Sequence, residues 1–278
     1  MNATKTLPPH PTAQHPTDLS RSVSLMGRVG YAARGTIYFL VGASAALAAI
    51  RPEHRPGGMT EALQPLQNDW TGGVVLVLLT AGLACLAGWF AVAGLSRSDH
   101  TGAARAMVAA AMLGDAAVYV GFTVIVTGFA LGFWPHSGEH TVHVWSAWLL
   151  SYAYGRVLLG MLGAIVCVCG VGLMVWSTFG LVGGSLALSR DERRVIRLIG
   201  RCGIAGRGAA IALIGCYLFV AALDGNAREA HELGGMLTEL RAHPYGVAAI
   251  ALFALAFIAS SLLDFVTAGF RRFDPTRP

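Results

Sequence analysis

The chain is predicted to be all-α and to cross a membrane six times, as three tandem helical hairpins in a pseudo-threefold arrangement. Three observations carry that expectation. Of 278 residues 55% are hydrophobic and only 13% charged, with a mean hydropathy of +0.59, a balance far more apolar than that of soluble domains. The charges fall in short blocks between long uncharged runs, and a helix needs about 20 apolar residues to cross a bilayer core. A set of glycines and arginines also recurs along the chain at a fixed offset. The same composition excludes a disordered chain, a collagen-like repeat and a disulfide scaffold.

The elements follow in order. Residues 1–20 contain Pro8, Pro9, Pro11 and Pro16 and are expected to be a disordered cytoplasmic lead, too long and too proline-rich for the basic start of a cleaved signal peptide. Uncharged runs then begin near Gly35, Thr71, Met107, Val157, Gly208 and Pro244, and all 11 prolines lie outside them or at their edges, where helices tolerate proline. The runs from Gly35 and Gly208 are short. They span a bilayer only if each helix starts a turn or more earlier, which carries Arg34 and Arg207 into the membrane boundary, where long arginine stems can snorkel to the headgroups. The run from Val157 is too long and is expected to stop near Gly180, with Gly183, Gly184 and Ser185 as a turn.

Residues 189–201 read as an amphipathic helix. Ser189 and Glu192 form a capping-box signature, Val195, Leu198 and Ile199 form an apolar stripe, and Arg193, Arg194 and Arg197 can face anionic lipid headgroups. Gly57-Gly58 and Gly234-Gly235 each precede a short amphipathic stretch, at Met59 and at Met236, expected to lie over the outer bundle end. All Lys and Arg but Arg51, Arg55, Arg156, Arg228 and Arg241 fall on the side of both termini. The positive-inside rule then makes the termini cytoplasmic, in a multi-pass plasma-membrane protein.

The repeat divides the chain. Gly27, Arg28, Gly30, Arg34, Gly35, Gly42, Ala48 and Ala49 return as Gly200, Arg201, Gly203, Arg207, Gly208, Gly215, Ala221 and Ala222. A weaker middle copy aligns Gly121 and Gly128 with Gly35 and Gly42, and Tyr154-Gly155 with Tyr245-Gly246. Repeat 1 is placed at 21–98 (spans near 30–50 and 71–95) and repeat 2 at 99–185 (spans near 107–134 and 155–180). Repeat 3 follows at 186–273 (the amphipathic 189–201, spans near 204–224 and 244–270), with 274–278 as a tail. Small residues let helix backbones approach closely in lipid, so Gly35, Gly42, Gly121, Gly128, Gly208 and Gly215 are expected at helix contacts.

The pattern Gly-Arg-x-Gly-Tyr-x-x-Arg-Gly at Gly27 to Gly35, opening an apolar helix and followed by Gly-Gly and a second span, resembles the bacterial membrane family called domain of unknown function 1206. The resemblance covers about Ser24 to Phe273 and implies three tandem two-helix repeats, with no activity, substrate or cofactor. Val120 stands where the other units have Arg34 and Arg207, and Ile204 replaces Tyr31, so a mechanism needing three equivalent arginines does not apply.

Two constellations could carry chemistry. Ionisable residues inside a membrane are functional candidates, because an isolated buried charge is costly. Arg34, Asp115, Arg207 and Asp264 are expected in one cytoplasmic-side layer, as ion pairs tying the first, third, fifth and sixth spans together. On the other side lie His136, Glu139, His140 and His143 in a loop flanked by Trp134, Trp145 and Trp148. Histidine and carboxylate suit zinc or copper, although the spacing matches no standard metal motif and interfacial tryptophans explain the setting. No metal or other cofactor is expected. Cys85, Cys167, Cys169 and Cys216 fall in spans and Cys202 faces the cytoplasm, without a CxxC. P-loop, dinucleotide, HExxH and GxSxG signatures are absent.

The net charge of +5 is accounted for by topology, so nucleic acid is not an expected partner, whereas the lipid bilayer and its anionic headgroups are. The sequence does not decide self-association or a membrane-protein partner. The expected role is a non-enzymatic membrane scaffold or interaction module. The alternative is a small-solute or ion channel or transporter using the charged layer, and an enzyme at the histidine cluster ranks third. A polar path along the axis would favour transport, and packed contacts there would favour the scaffold.

Overall fold

The computed structural model describes residues 18–51, 53–54, 56–98, 103–133, 138–179, 190–231 and 233–270. Among them the chain is helical, without strands. Six long helices are apolar enough to cross a membrane: α1 (Asp18–Ile50), α3 (Trp70–Ser98), α4 (Ala103–Ala130), α6 (Gly155–Phe179), α7 (Arg190–Asp224) and α9 (Gly246–Phe270). Between the members of each hairpin lies a short helix, α2 (Met59–Leu63, continued by a 3-10 turn at Gln64–Gln67), α5 (Gly138–Leu150) and α8 (Leu233–Arg241). These three touch one another at the bundle end opposite Asp18 and Phe270.

Helix ends follow local chemistry. α4 and α7 stop at the left-handed glycines Gly132 (φ 73°) and Gly225 (φ 66°). After each, a backbone N–H reaches back to a carbonyl five residues earlier, Phe133 to Gly128 at 2.8 Å and Asn226 to Ala221 at 3.1 Å, satisfying a carbonyl the helix leaves open. The second span of each hairpin starts in one way three times. Gly72, Gly155 and Gly246 press against the carbonyl oxygens of Leu66, Leu149 and Leu240, in each case the residue six earlier, so that a Cβ there would strike the backbone. Gly155→Ala and Gly246→Ala are each expected to cost about 1–3 kcal/mol through overpacking. A melting curve in detergent checks this, and an unshifted midpoint would contradict it.

The spanning helices form an arc, α4–α3–α1–α9–α7–α6, each packed on the next. Its outer-hairpin contacts, α1 with α3 and α7 with α9, cross on small residues. Gly30 lies against Leu86 and Gly82 against Ala33; in the third hairpin Gly203 lies against Ser260 and Gly206 against Ala256. The contacts between hairpins match as well. Gly35 and Gly42 of α1 meet the carbonyls of Ser261 and Ala254 on α9, while Gly208 and Gly215 of α7 meet those of Gly170 and Gly163 on α6. In both cases the carbonyls belong to residues 15 and 8 past the starting glycine of the second span.

The middle hairpin departs from this symmetry. α4 packs on α3 and α6 on α7, yet α4 and α6 form no interface with each other, which leaves the ring open on one side. α4 turns Ala109, Ala116, Tyr119 and Val126 inward, and Gly121 faces open space with nothing within 4 Å. Gly121 is therefore not a packing residue: the face of α4 that meets α3 lies elsewhere on the helix. Gly128 is buried at the helix end, where its carbonyl accepts the Phe133 N–H.

Two further expectations change. Residues 190–201 are not a separate interfacial helix but the first turns of α7, which runs unbroken for 35 residues; no proline interrupts it, and Gly203 and Gly206 within it serve the crossing with α9. Residues 138–150, expected as a loop, are helix α5. Pro244 lies in the turn before α9, which begins at Gly246. The segment 1–17, the turn at Gly180, Gly183, Gly184 and Ser185, the cap Ser189 and the tail lie outside the described residues.

Candidate functional site

The site forms where α1, α9, α4 and α7 reach one level inside the bundle. On α1, Gly35 has no side chain, and a Cβ there would stand 3.2 Å from the Cβ of Asp264. That close approach brings the short Asp264 side chain of α9 within reach of Arg34. The Arg34 Nε donates to Asp264 Oδ2 at 2.8 Å, one terminal nitrogen donates to Oδ1, and the other donates to the Tyr119 hydroxyl at 2.9 Å. Arg34 is 9% exposed and Asp264 3%. Arg34 therefore does not snorkel to the headgroups. A carboxylate in fork geometry and a phenol supply inside the bundle what the headgroups would supply outside.

Aromatic rings seal the pair. The guanidinium lies over the Tyr31 ring, 4.5 Å from its centroid, a cation–π geometry. Tyr119 stacks on Phe90 with centroids 5.5 Å apart and planes 6° apart, and Phe90 meets Trp89 edge-on at 4.9 Å. The ion pair is thus backed by the core that joins α1, α3 and α4.

The other two members of the expected layer do not pair. Asp115, one turn before Tyr119 on α4, is exposed; the charges acting on it are Arg207 first and Arg34 second, without an ion pair to either among the described residues. The Arg207 guanidinium faces the Tyr38 ring at 5.6 Å, and Tyr38 lies between the two arginines, 6.0 Å from that of Arg34. The structure thus joins Arg34 to Asp264 and leaves Asp115 and Arg207 apart. Tyr31, the tyrosine of the Gly-Arg-x-Gly-Tyr pattern, completes the layer with Tyr38 and Tyr119, which no sequence motif marks. The available signal was spacing: Tyr119 follows Asp115 by four residues, and Tyr31 and Tyr38 flank Arg34 by three and four, on one helical face.

At the opposite end, the His143 ring lies 5.8 Å from that of His231. The His231 Nε2 is 3.3 Å from Glu239 Oε2, and Tyr217 meets His231 edge-on at 5.2 Å. This joins α5 to α7 and α8. His136 and the side chains of Glu139 and His140 lie outside the described residues; among those described, no three His, Cys, Asp or Glu converge on a metal position. On α7, Arg194 and Arg197 are exposed, and the Arg193 side chain is not described.

A family model described as Domain of Unknown Function (DUF1206) matches residues 29–97 and 202–271, the first and third hairpins. The chain is similar to "Uncharacterized protein YxxB" of Bacillus subtilis (strain 168), 25% identical over 248 residues that cover 85% of this chain and 86% of that protein. No solved structure matches it.

Proposed function

We propose, for a chain that belongs to the Domain of Unknown Function (DUF1206) family, a role as a non-enzymatic membrane scaffold or interaction module whose charged layer is a lock rather than a conduit. One observation carries this reading: Arg34 and Asp264 spend their hydrogen bonds on each other and on Tyr119, under Tyr31, in the packed interior. A conducting layer keeps such groups available to a passing ion or proton, whereas a lock consumes them. The three hairpins act as tandem repeats, a reading supported by the shared start at Gly72, Gly155 and Gly246. Both termini lie in the cytoplasm, where Arg194 and Arg197 contact anionic headgroups of the plasma membrane.

The test compares wild type with Asp264→Asn. Reconstituted in liposomes carrying a pH-sensitive dye, the wild type is expected to pass no more protons or small ions than empty vesicles, and Asp264→Asn to lower the melting midpoint in detergent. A pH-dependent flux in the wild type that Asp264→Asn removes without lowering the midpoint would establish transport instead.

A further inference from the structure

The contact between α6 and α7 repeats that between α9 and α1 position for position, and it differs at the charged layer. Gly208 takes the place of Gly35, the Gly170 carbonyl that of Ser261, and Cys167 that of Ile258 against Gly215 and Gly42. Arg207 precedes Gly208 as Arg34 precedes Gly35. The acid does not recur: Asp264 lies 18 residues past Gly246, and the residue 18 past Gly155 is Leu173. Arg207 therefore occupies a second lock from which the carboxylate is missing. It makes no hydrogen bond or ion pair among the described residues, and a guanidinium in the membrane interior without a counterion is strongly unfavourable.

The position of Arg207 says where a counterion would come from. Its guanidinium faces Tyr38 of α1, on the side of α7 turned to the other spanning helices of the arc. Among the described residues α4 and α6 do not pack together, and both helices carry exposed apolar residues, such as Val118 and Ile125 on α4 and Ile165 and Val168 on α6. Apolar walls suit acyl chains, and a guanidinium suits phosphate or carboxylate.

We propose that Arg207 is the binding residue of an acidic-amphiphile site, in which the phosphate or carboxylate head of a lipid-like anion enters between α4 and α6 and takes the place that Asp264 fills beside Arg34. Tyr38 lies against the guanidinium as Tyr31 lies against that of Arg34, so the basic half of the site is already in place.

The experiment measures melting midpoints of the full chain in neutral-lipid nanodiscs doped with phosphatidic acid, and separately with inorganic phosphate added in solution. The expected result is an upward shift with phosphatidic acid, at least tenfold weaker in apparent affinity for Arg207→Gln, reduced but retained in an Arg194→Gln/Arg197→Gln double variant, whose arginines meet the same headgroups at the membrane surface, and absent with inorganic phosphate. Leu173→Asp supplies the missing carboxylate and is expected to raise the midpoint in neutral lipid and abolish the phosphatidic acid shift; Leu173→Asn, uncharged, serves as the control for its fold. Equal shifts for wild type and Arg207→Gln, or loss of the shift in the double variant alone, would overturn the proposal. A shift with inorganic phosphate equal to that with phosphatidic acid would overturn the amphiphile and leave a free anion. None of these outcomes bears on the lock at Arg34, which the flux measurement tests independently.

Discussion

Asp264→Ala is expected to destabilise the bundle by about 3–5 kcal/mol, the range for breaking a buried ion pair by removing one partner. The effect is large because of what remains. Arg34 is 9% exposed, held under Tyr31 and between helices, and without Asp264 it keeps only the Tyr119 hydroxyl as a polar partner. Tyr119→Phe removes the other hydrogen bond and leaves the carboxylate in place, so a smaller loss of about 1.5–3 kcal/mol is expected for one bond to a charged group. Arg34→Met combined with Asp264→Leu removes both charges together and is expected to recover much of the loss, because apolar replacement of a whole buried pair is often neutral. Equilibrium unfolding in mixed micelles measures all three. A loss below 1 kcal/mol for Asp264→Ala would mean that the charge finds water in the folded state, and the lock reading would fail.

Gly170→Val is expected to drive α6 from α7. A Cβ at Gly170 would stand 2.6 Å from the Gly208 carbonyl oxygen and 2.7 Å from the Ala212 α-carbon, and one at Gly163 would stand 2.6 Å from the Phe219 amide nitrogen. The obstacles are backbone atoms, which cannot rotate aside as a side chain can. Overpacking of this kind costs typically 1–3 kcal/mol and occasionally more, and Gly170→Val, with a branched side chain against two helical backbones, is expected at about 3 kcal/mol. A local reporter exists, since the Sγ atoms of Cys167 and Cys216 lie 3.6 Å apart across the same interface. Mild oxidation followed by peptide mass spectrometry should recover the Cys167–Cys216 disulfide from wild type, and much less from Gly170→Val. Gly121→Val and Gly172→Val, where nothing lies within 4 Å, should cross-link like wild type. Equal yields from Gly170→Val would show that the helices are not in register as described.

The spanning helices were legible in the sequence because hydropathy is a local property: each run carries its own evidence of the bilayer. The glycine repeat was legible too, and Gly35, Gly42, Gly208 and Gly215 all meet a neighbouring backbone. Less legible was whatever depends on distance between helices. Arg34 and Asp264 could be matched by charge, but three other pairings were equally open, and nothing local distinguishes an arginine that finds a carboxylate from one that does not. Tyr38 and Tyr119 read as ordinary apolar filler until the fold set them around a guanidinium. The gap between α4 and α6 had only a faint signature, the poor match of the middle unit and Val120 in the arginine position. The continuity of α7 was not legible because the amphipathic stretch at 189–201 and the apolar run from Gly208 differ in composition, whereas Gly203, Gly206 and Gly208 between them are where neighbouring helices come near.

The lock also orders events during synthesis. Arg34 and Asp264 are 230 residues apart, and ribosomes add about 5–20 residues per second. The first helix must therefore hold an uncompensated positive charge for on the order of ten seconds or more after it is made, until α9 takes its place beside it. A chain that stalls before α9 carries that charge indefinitely, so the arrival of α9 is registered as neutrality beside Arg34.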